Sequence, residues 1–312
     1  MAALASGLGR GGERNIDVIH HPLTPSRRGL LIGGGALALT GCGRKGDDPG
    51  AAATGPSDVQ PITLEDAVAG PWRSPQDRAR DAWRHPAESL KFWGVRPGAE
   101  VVEFWPGAGW YSDIIAPYLA STGGVLYAAD VQTDTPAGRA MVDAYRRRLA
   151  ASPKLYGSVH ITAFGPTSGP VAPAGTANVV LFLRNLHDWM AGGFAEKAFR
   201  DAHDALKPGG MLGVEQHRAA PGGVQDVLAK DGYVMEAYVK DMAQEAGFVF
   251  DAASEINANP KDDRNHPFGV WTLPPVLRTA PPGQPPNPKF DTAKYKAIGE
   301  SDRMTLRFVK KG

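Results

Sequence analysis

Between residues 101 and 256, short unbroken apolar runs alternate with stretches of helical pattern, and that alternation decides the fold class. Val101–Phe104, Val125–Ala129, Val159–Ala163, Asn178–Leu183, Met211–Glu215 and Phe248–Ile256 read as strands. Their apolar residues follow one another without an in–out rhythm, the pattern of strands covered on both faces. Trp110–Leu119, Ala137–Ala150, Phe194–Leu206 and Tyr233–Ala246 read as the helices between them. Strand and helix in turn predict an α/β domain on a parallel, doubly wound sheet. Met304–Lys310 adds a last strand after the long segment 257–303, which is rich in Pro, Asn and Asp and is expected to be a loop or lid. Upstream, Ser74-Pro75 is a good helix start, and two short helices are expected within 74–93, before the turn Arg96-Pro97-Gly98.

The chemistry is concentrated where the first strand ends. Residues 101–112 (VVEFWPGAGWYS) read as a strand, a glycine-containing turn and a helix start. Gly107 and Gly109 let backbone approach a ligand that side chains would exclude, and the free N–H groups of the following helix can face an anion or a carboxylate. Asp130 closes the second strand, where a carboxylate can accept hydrogen bonds from both hydroxyls of a ribose. A glycine pair alone is weak evidence. With a strand before it, a helix after it and an acid closing the next strand, it indicates a nucleoside site. A dinucleotide fingerprint wants a third Gly where this chain has Ser112, so a nicotinamide oxidoreductase is the weakest reading.

Glu103 inside the first strand, Gly107 and Gly109 after it, Asp130 at the end of the second, and Lys207-Pro208-Gly209-Gly210 before the fifth together resemble class I S-adenosylmethionine-dependent methyltransferases. The resemblance implies a Rossmann-like doubly wound sheet, with S-adenosyl-L-methionine as cofactor. It implies that Glu103 orients the methionine end, that Gly107, Gly109, Tyr111 and Asn185 line the cofactor, and that Asp130 holds the ribose. More narrowly, FWPGAGWYSDIIAPY (104–118), RNLHD (184–188), SEINANPKDD (254–263), GVWTLPP (269–275) and IGESDRMTLRF (298–308) resemble a family of predicted, often exported bacterial methyltransferases. Two positions depart from the common pattern. Trp105 stands where the first Gly is usual, so its side chain has to turn away from the cofactor. The acid that contacts adenine after the third strand is replaced by Ala163-Phe164-Gly165-Pro166, so adenine is expected to stack on Phe164 or to use backbone groups.

His187 and Asp188, after the fourth strand, are candidates for acid–base work on the acceptor or for capping the next helix. His217, after the fifth, is a second candidate base, or a histidine bonded to a loop carbonyl. Asp262, Asp263 and His266 lack the dense spacing of a metal site and read as loop polar groups, so no metal is expected. Arg146–Arg148 reads as a solvated helix end, and Trp271 as lid packing.

At the N-terminus, Ser26-Arg27-Arg28-Gly29-Leu30-Leu31 resembles a twin-arginine export signal, and Leu39-Thr40-Gly41-Cys42 resembles a lipobox around the chain's one cysteine. The apolar run between them is too short to span a bilayer. The expected organisation is a signal peptide with lipidated Cys42 over 1–42, a tether over 43–60 and the methyltransferase-like domain over 61–312. The product would be an exported, periplasmic lipoprotein, held at the membrane only by its lipid. Setting aside the four arginines and two acids of residues 1–42 leaves 30 basic against 31 acidic residues. A near-neutral body lacks the broad basic surface of a nucleic-acid binder. The acceptor is therefore expected to be a small molecule. The competing expectation is a non-catalytic, exported nucleoside-binding or scaffold module on the same fold.

Overall fold

Successive side chains of a strand point to opposite faces, and in β1 (Glu100–Phe104) both faces are covered. Val101 joins one apolar cluster, while Val102 and Phe104 join the other. The computed structural model describes residues 60–312. The expected signal peptide, the Cys42 of the expected lipobox and residues 43–59 of the expected tether lie outside the described residues.

The further strands are β2 (Val125–Val131), β3 (Val159–Phe164), β4 (Ala177–Leu183), β5 (Leu206–His217), β6 (Phe248–Ser254), β7 (Pro267–Val270) and β8 (Arg303–Lys310). Seven of them form one sheet in the order β3-β2-β1-β4-β5-β8-β6. The pairings β3–β2, β2–β1, β1–β4 and β4–β5 are parallel, and β8 runs antiparallel between β5 and β6. This is the Rossmann-like, doubly wound α/β sheet expected from the sequence.

On one face lie α1 (Leu64–Ala69), α4 (Pro86–Phe92), α5 (Ser112–Thr122), α6 (Pro136–Ala150) and α7 (Pro153–Tyr156), which bring Leu64, Leu90, Ile114, Ile115, Leu149 and Tyr156 to its apolar cluster; the short α2 (Pro75–Arg78) and α3 (Asp81–Arg84) come between α1 and α4 in the chain. The other face is covered by α8 (Leu186–Gly192), α9 (Ala195–Ala205) and α10 (Glu236–Glu245). There Trp189 lies 4.9 Å from Phe182 and 5.2 Å from Phe164, ring centre to ring centre and edge on. Each such pair adds about 0.5–1.5 kcal/mol beyond its buried area.

The structure corrects several boundaries. Residues 74–93 hold three short helices rather than two: the break expected at Pro86 is made by His85 in left-handed backbone (φ 39°), and a further break falls at Ala79–Arg80, where the Arg80 N–H bonds back only three residues, to the Asp77 carbonyl at 3.1 Å. α5 starts at Ser112, not Trp110, since the glycine turn runs on through Tyr111. α10 starts at Glu236, not Tyr233, because Val234 bridges to Arg218 instead. The long segment 257–303 is not one bare loop. It contains β7 and α11 (Ala293–Ile298), and Leu273, Tyr295 and Ile298 form a small apolar cluster of their own. Arg148 is not a solvated helix end either: it forms a two-pronged pair with Asp113 of α5, which also accepts from the Tyr156 hydroxyl at 2.9 Å.

Candidate functional site

β1 and β4 are neighbours in the sheet, yet the chain leaves them in opposite directions, to α5 on one face and α8 on the other. In open α/β sheets the crevice at the carboxyl ends of such strands is where ligands bind.

The turn after β1 sets one wall. Gly107 (φ 58°) and Gly109 (φ 85°) both take left-handed backbone, which costs Gly nothing and other residues about 1–2 kcal/mol. A Cβ on Gly107 would meet nothing within 4 Å, so its face is open. A Cβ on Gly109 would stand 3.3 Å from the Tyr145 ring, so this glycine serves packing against α6.

Two buried carboxyls stand beside the turn. The Ser112 hydroxyl donates to Glu103 Oε2 at 2.6 Å and accepts from the Tyr145 hydroxyl at 2.9 Å. Burial pushes the Glu103 carboxyl up to about 7. Asp130, 1% exposed, uses Oδ1 to accept the Val131 N–H at 2.8 Å. Its buried Oδ2 has no donor among the described residues, and burial pushes this carboxyl up to about 6. A carboxylate oxygen left unpaired in an apolar surround is unfavourable, so the position calls for a donor.

The far wall is built at the ends of β4 and β5. Asn185 donates from Nδ2 to the carbonyls of Phe104 (3.2 Å) and Trp105 (3.0 Å), pinning the end of β1 to the end of β4. His187 is buried, with Nδ1 3.2 Å from the Gln216 amide nitrogen and Nε2 3.6 Å from Asp188 Oδ2. Its ring meets the His217 ring edge on, 5.3 Å between centres. His217 Nδ1 lies 2.5 Å from Ser301 Oγ. Burial, then the neighbouring His187, Arg184 and Arg303, hold His217 well below the usual imidazole range, so it is neutral at pH 7. Trp271 also reaches this wall, 5.7 Å from the His187 ring, rather than only packing the long segment.

Glu103, Gly107, Gly109, Asp130, Asn185, His187, Asp188 and His217 thus all lie at or beside the carboxyl edge of the central strands. Tyr111, expected at the cofactor, is instead buried and donates its hydroxyl to Glu215 Oε2 at 2.9 Å. Phe164 is fully buried beneath the site, against Phe104, Trp189 and Phe194, and has no free face for adenine to stack on. Trp105 turns its indole toward α8 and α9, against Trp189 and Phe194, and donates from Nε1 to the Phe164 carbonyl at 2.9 Å. The indole therefore leaves the space over Gly107 open.

Asp262, Asp263 and His266 place ligand atoms within 4.8 Å of one another. Asp262 is already engaged by the Tyr233 hydroxyl, His266 Nε2 and the N–H groups of Arg264 and Asp302. It ties the long segment to the start of β8.

Sequence reasoning missed a set of charges around the crevice: Arg80, Arg84, Arg184, Glu300 and Arg303. Arg184 and the Glu300/Arg303 pair fall within the stretches 184–188 and 298–308 already singled out. The pairing of Glu300 with Arg80 and Arg84 spans more than two hundred positions and leaves no trace in local spacing.

No family model and no curated protein matches the chain in sequence. Solved structures do. The [4+2]-cyclase SpnF is 15% identical, over 80% of this chain and 92% of that one, with a TM-score of 0.53. A SAM-dependent methyltransferase from Aquifex aeolicus is 19% identical over 63% of this chain and 94% of its own, with a TM-score of 0.45. The CcbJ methyltransferase from Streptomyces caelestis is 16% identical over 78% and 98%, also at 0.45. At such identities the likeness is one of fold, and the SpnF match carries it.

Proposed function

We propose that this chain binds S-adenosyl-L-methionine and transfers its methyl group to a small-molecule acceptor. The observation that carries the reading is the buried, donor-less Oδ2 of Asp130, beside a glycine turn whose Gly107 face is open. Two vicinal hydroxyls of a ribose are the donors this carboxylate lacks. The residues fit the sugar and the methionine end: Asp130 for the hydroxyls, Glu103 with Ser112 for the polar end, and the open turn for close backbone approach. When bound, the sulfonium supplies an electrophilic methyl group. What the chain contributes is alignment and exclusion of water, which for a displacement of this kind supplies most of the acceleration. The groups that would take a proton from an acceptor that arrives protonated are His217, held neutral and paired to Ser301, and His187 beside it.

A second reading has an observation of its own. No acid follows β3, and the Phe164 carbonyl is already occupied by the Trp105 indole. That favours a nucleoside-binding module without turnover. Calorimetry of the full chain with S-adenosylmethionine, S-adenosylhomocysteine and NAD separates the readings from a plain scaffold. Binding of the first two at about micromolar strength, lost in Asp130→Ala, supports the nucleoside site, and release of S-adenosylhomocysteine in the presence of an acceptor then marks the enzyme. Binding of none of the three overturns both. Export and lipid anchoring at Cys42 belong to the same proposal. Cys42→Ser should move the protein out of the membrane fraction, and an unchanged distribution would remove the anchor.

A further inference from the structure

At the carboxyl end of β4 the chain turns on Arg184 in left-handed backbone (φ 65°). Across the crevice Trp105 does the same at the end of β1 (φ 48°). For residues other than Gly this conformation costs about 1–3 kcal/mol and persists where the surroundings hold it, commonly at ligand sites. Here Asn185 bonds the two turns together through the Trp105 carbonyl, and the Glu215 carbonyl accepts the Arg184 N–H at 2.7 Å.

So held, the Arg184 guanidinium makes no hydrogen bond among the described residues, and its Nη1 is buried without a partner. The carboxylate nearest to it is Glu300, whose Oε2 is 3.8 Å from Nη1. Glu300 is already shared by Arg80 (2.8 Å), Arg84 (2.9 Å) and Arg303 (2.7 Å). The other carboxylate, Glu215, lies 2.8 Å from Arg303 Nε and accepts from Tyr111. Four guanidiniums thus share two carboxylates. A covered positive surplus of this kind is unfavourable unless a counter-charge arrives. Glu103, which also faces Arg184, is itself disfavoured as an anion by burial. The Arg184 side chain is 18% exposed and stands at the end of β4, so it is not sealed off from solvent at this edge of the sheet. A guanidinium fork is matched by a planar anion with two oxygens.

We propose that Arg184 receives a carboxylate carried by the methyl acceptor, which makes the acceptor a small carboxylic acid. The proposal rests on the methyl-transfer reading and names its substrate class. Arg184, His187 and His217 all stand at the ends of β4 and β5, so an acid gripped by the guanidinium presents the rest of its structure to the histidine pair.

The probes are benzoate and its neutral isostere benzamide, followed by ligand-observed NMR on the full chain with and without S-adenosylhomocysteine. Calorimetry with S-adenosylmethionine runs in parallel. Benzoate should bind at least about tenfold better than benzamide, and Arg184→Gln should lose that preference while its S-adenosylmethionine affinity stays within about threefold. Arg184→Lys, which keeps the charge and loses the fork, should fall between the two. Equal binding of benzoate and benzamide, or benzoate binding that survives Arg184→Gln, overturns the proposal. So does a loss of S-adenosylmethionine affinity of about tenfold in Arg184→Gln, which would assign the fork to the methionine carboxylate. Arg184-dependent benzoate binding in a chain that binds no S-adenosylmethionine supports the anion subsite and removes the methyl-transfer reading instead.

Discussion

Asp130 is kept where it is disadvantageous to the empty fold. Its carboxyl ordinarily titrates near 3.8, and burial pushes it up to about 6. The folded state therefore holds a proton that the unfolded state has lost between those values. By linkage the favourable contribution is complete below about pH 4 and vanishes as pH rises through about 6, and above that the buried anion costs about 2–3 kcal/mol. Glu103, raised to about 7, adds a loss of the same sign slightly higher in pH. Asp130→Asn should then raise the unfolding free energy of the ligand-free protein, read from urea titration at pH 8, by about 1–2 kcal/mol, and leave it little changed at pH 4. The same variant should weaken S-adenosylmethionine by at least about tenfold at pH 8, since an amide accepts hydrogen bonds less strongly than a carboxylate. In the unsubstituted chain, affinity should climb between pH 5 and 7 as Asp130 ionises. A flat calorimetric profile, or a variant no more stable at pH 8, would show that this carboxyl is not held for a ligand. The acid was legible in the sequence because it closes an apolar run. Its missing donor was not, since that depends on how Val131 and the neighbouring strands cover it.

Among the elements, the strands were readable because each is a short apolar run covered on both sides, and the turn after β1 because Gly107 and Gly109 are needed in left-handed backbone. What local pattern did not show was which way a side chain leaves a turn. Trp105 also sits in left-handed backbone, and its indole swings to the α8/α9 face because Trp189 and Phe194 offer an aromatic seat there and the Phe164 carbonyl an acceptor. That seat has a topological cause: β3 passes to β4 with no helix between them, and Val171 and Ala172 of the connecting loop cover the face instead. Trp105→Phe keeps a ring in the seat but leaves the Phe164 carbonyl without its donor. It should lower stability by about 1–2 kcal/mol in urea titration. Nucleoside affinity should stay within about threefold, because the indole is turned away from Gly107. A loss of about tenfold would put the indole in contact with the ligand and reverse the orientation described for it.

Across the whole molecule, the start and the finish of the described chain are locked by charges that no local reading pairs. Arg80 and Arg84, flanking and ending α3, converge on Glu300, which the chain reaches only after α11, and Arg303 joins it from the first residue of β8. Asn257 adds hydrogen bonds to Ser89 and Thr305, both at 3.0 Å, and the Trp93 indole donates to the Leu306 carbonyl at 3.1 Å. The antiparallel β8 is therefore fastened on its way in as well as along its length, and the crevice wall depends on both. Glu300 is 4% exposed and is held below the usual carboxylate range: burial alone would raise it, and Arg303, Arg80 and Arg184 more than offset that. Its anion is the form the fold needs, so Glu300→Gln leaves buried guanidiniums without their partner and should cost about 3–5 kcal/mol. The exposed pair of Lys91 with Glu65 is the control, since Lys91→Ala at a site this open should cost less than about 0.5 kcal/mol. Salt discriminates them further: 1 M NaCl should erase the small Lys91 effect and leave most of the Glu300 effect in place, because water and ions do not reach the covered pairs. If the two variants unfolded at the same urea concentration, the arginines around Glu300 would be solvated in solution, and the positive surplus that selects a carboxylate at Arg184 would be screened along with them.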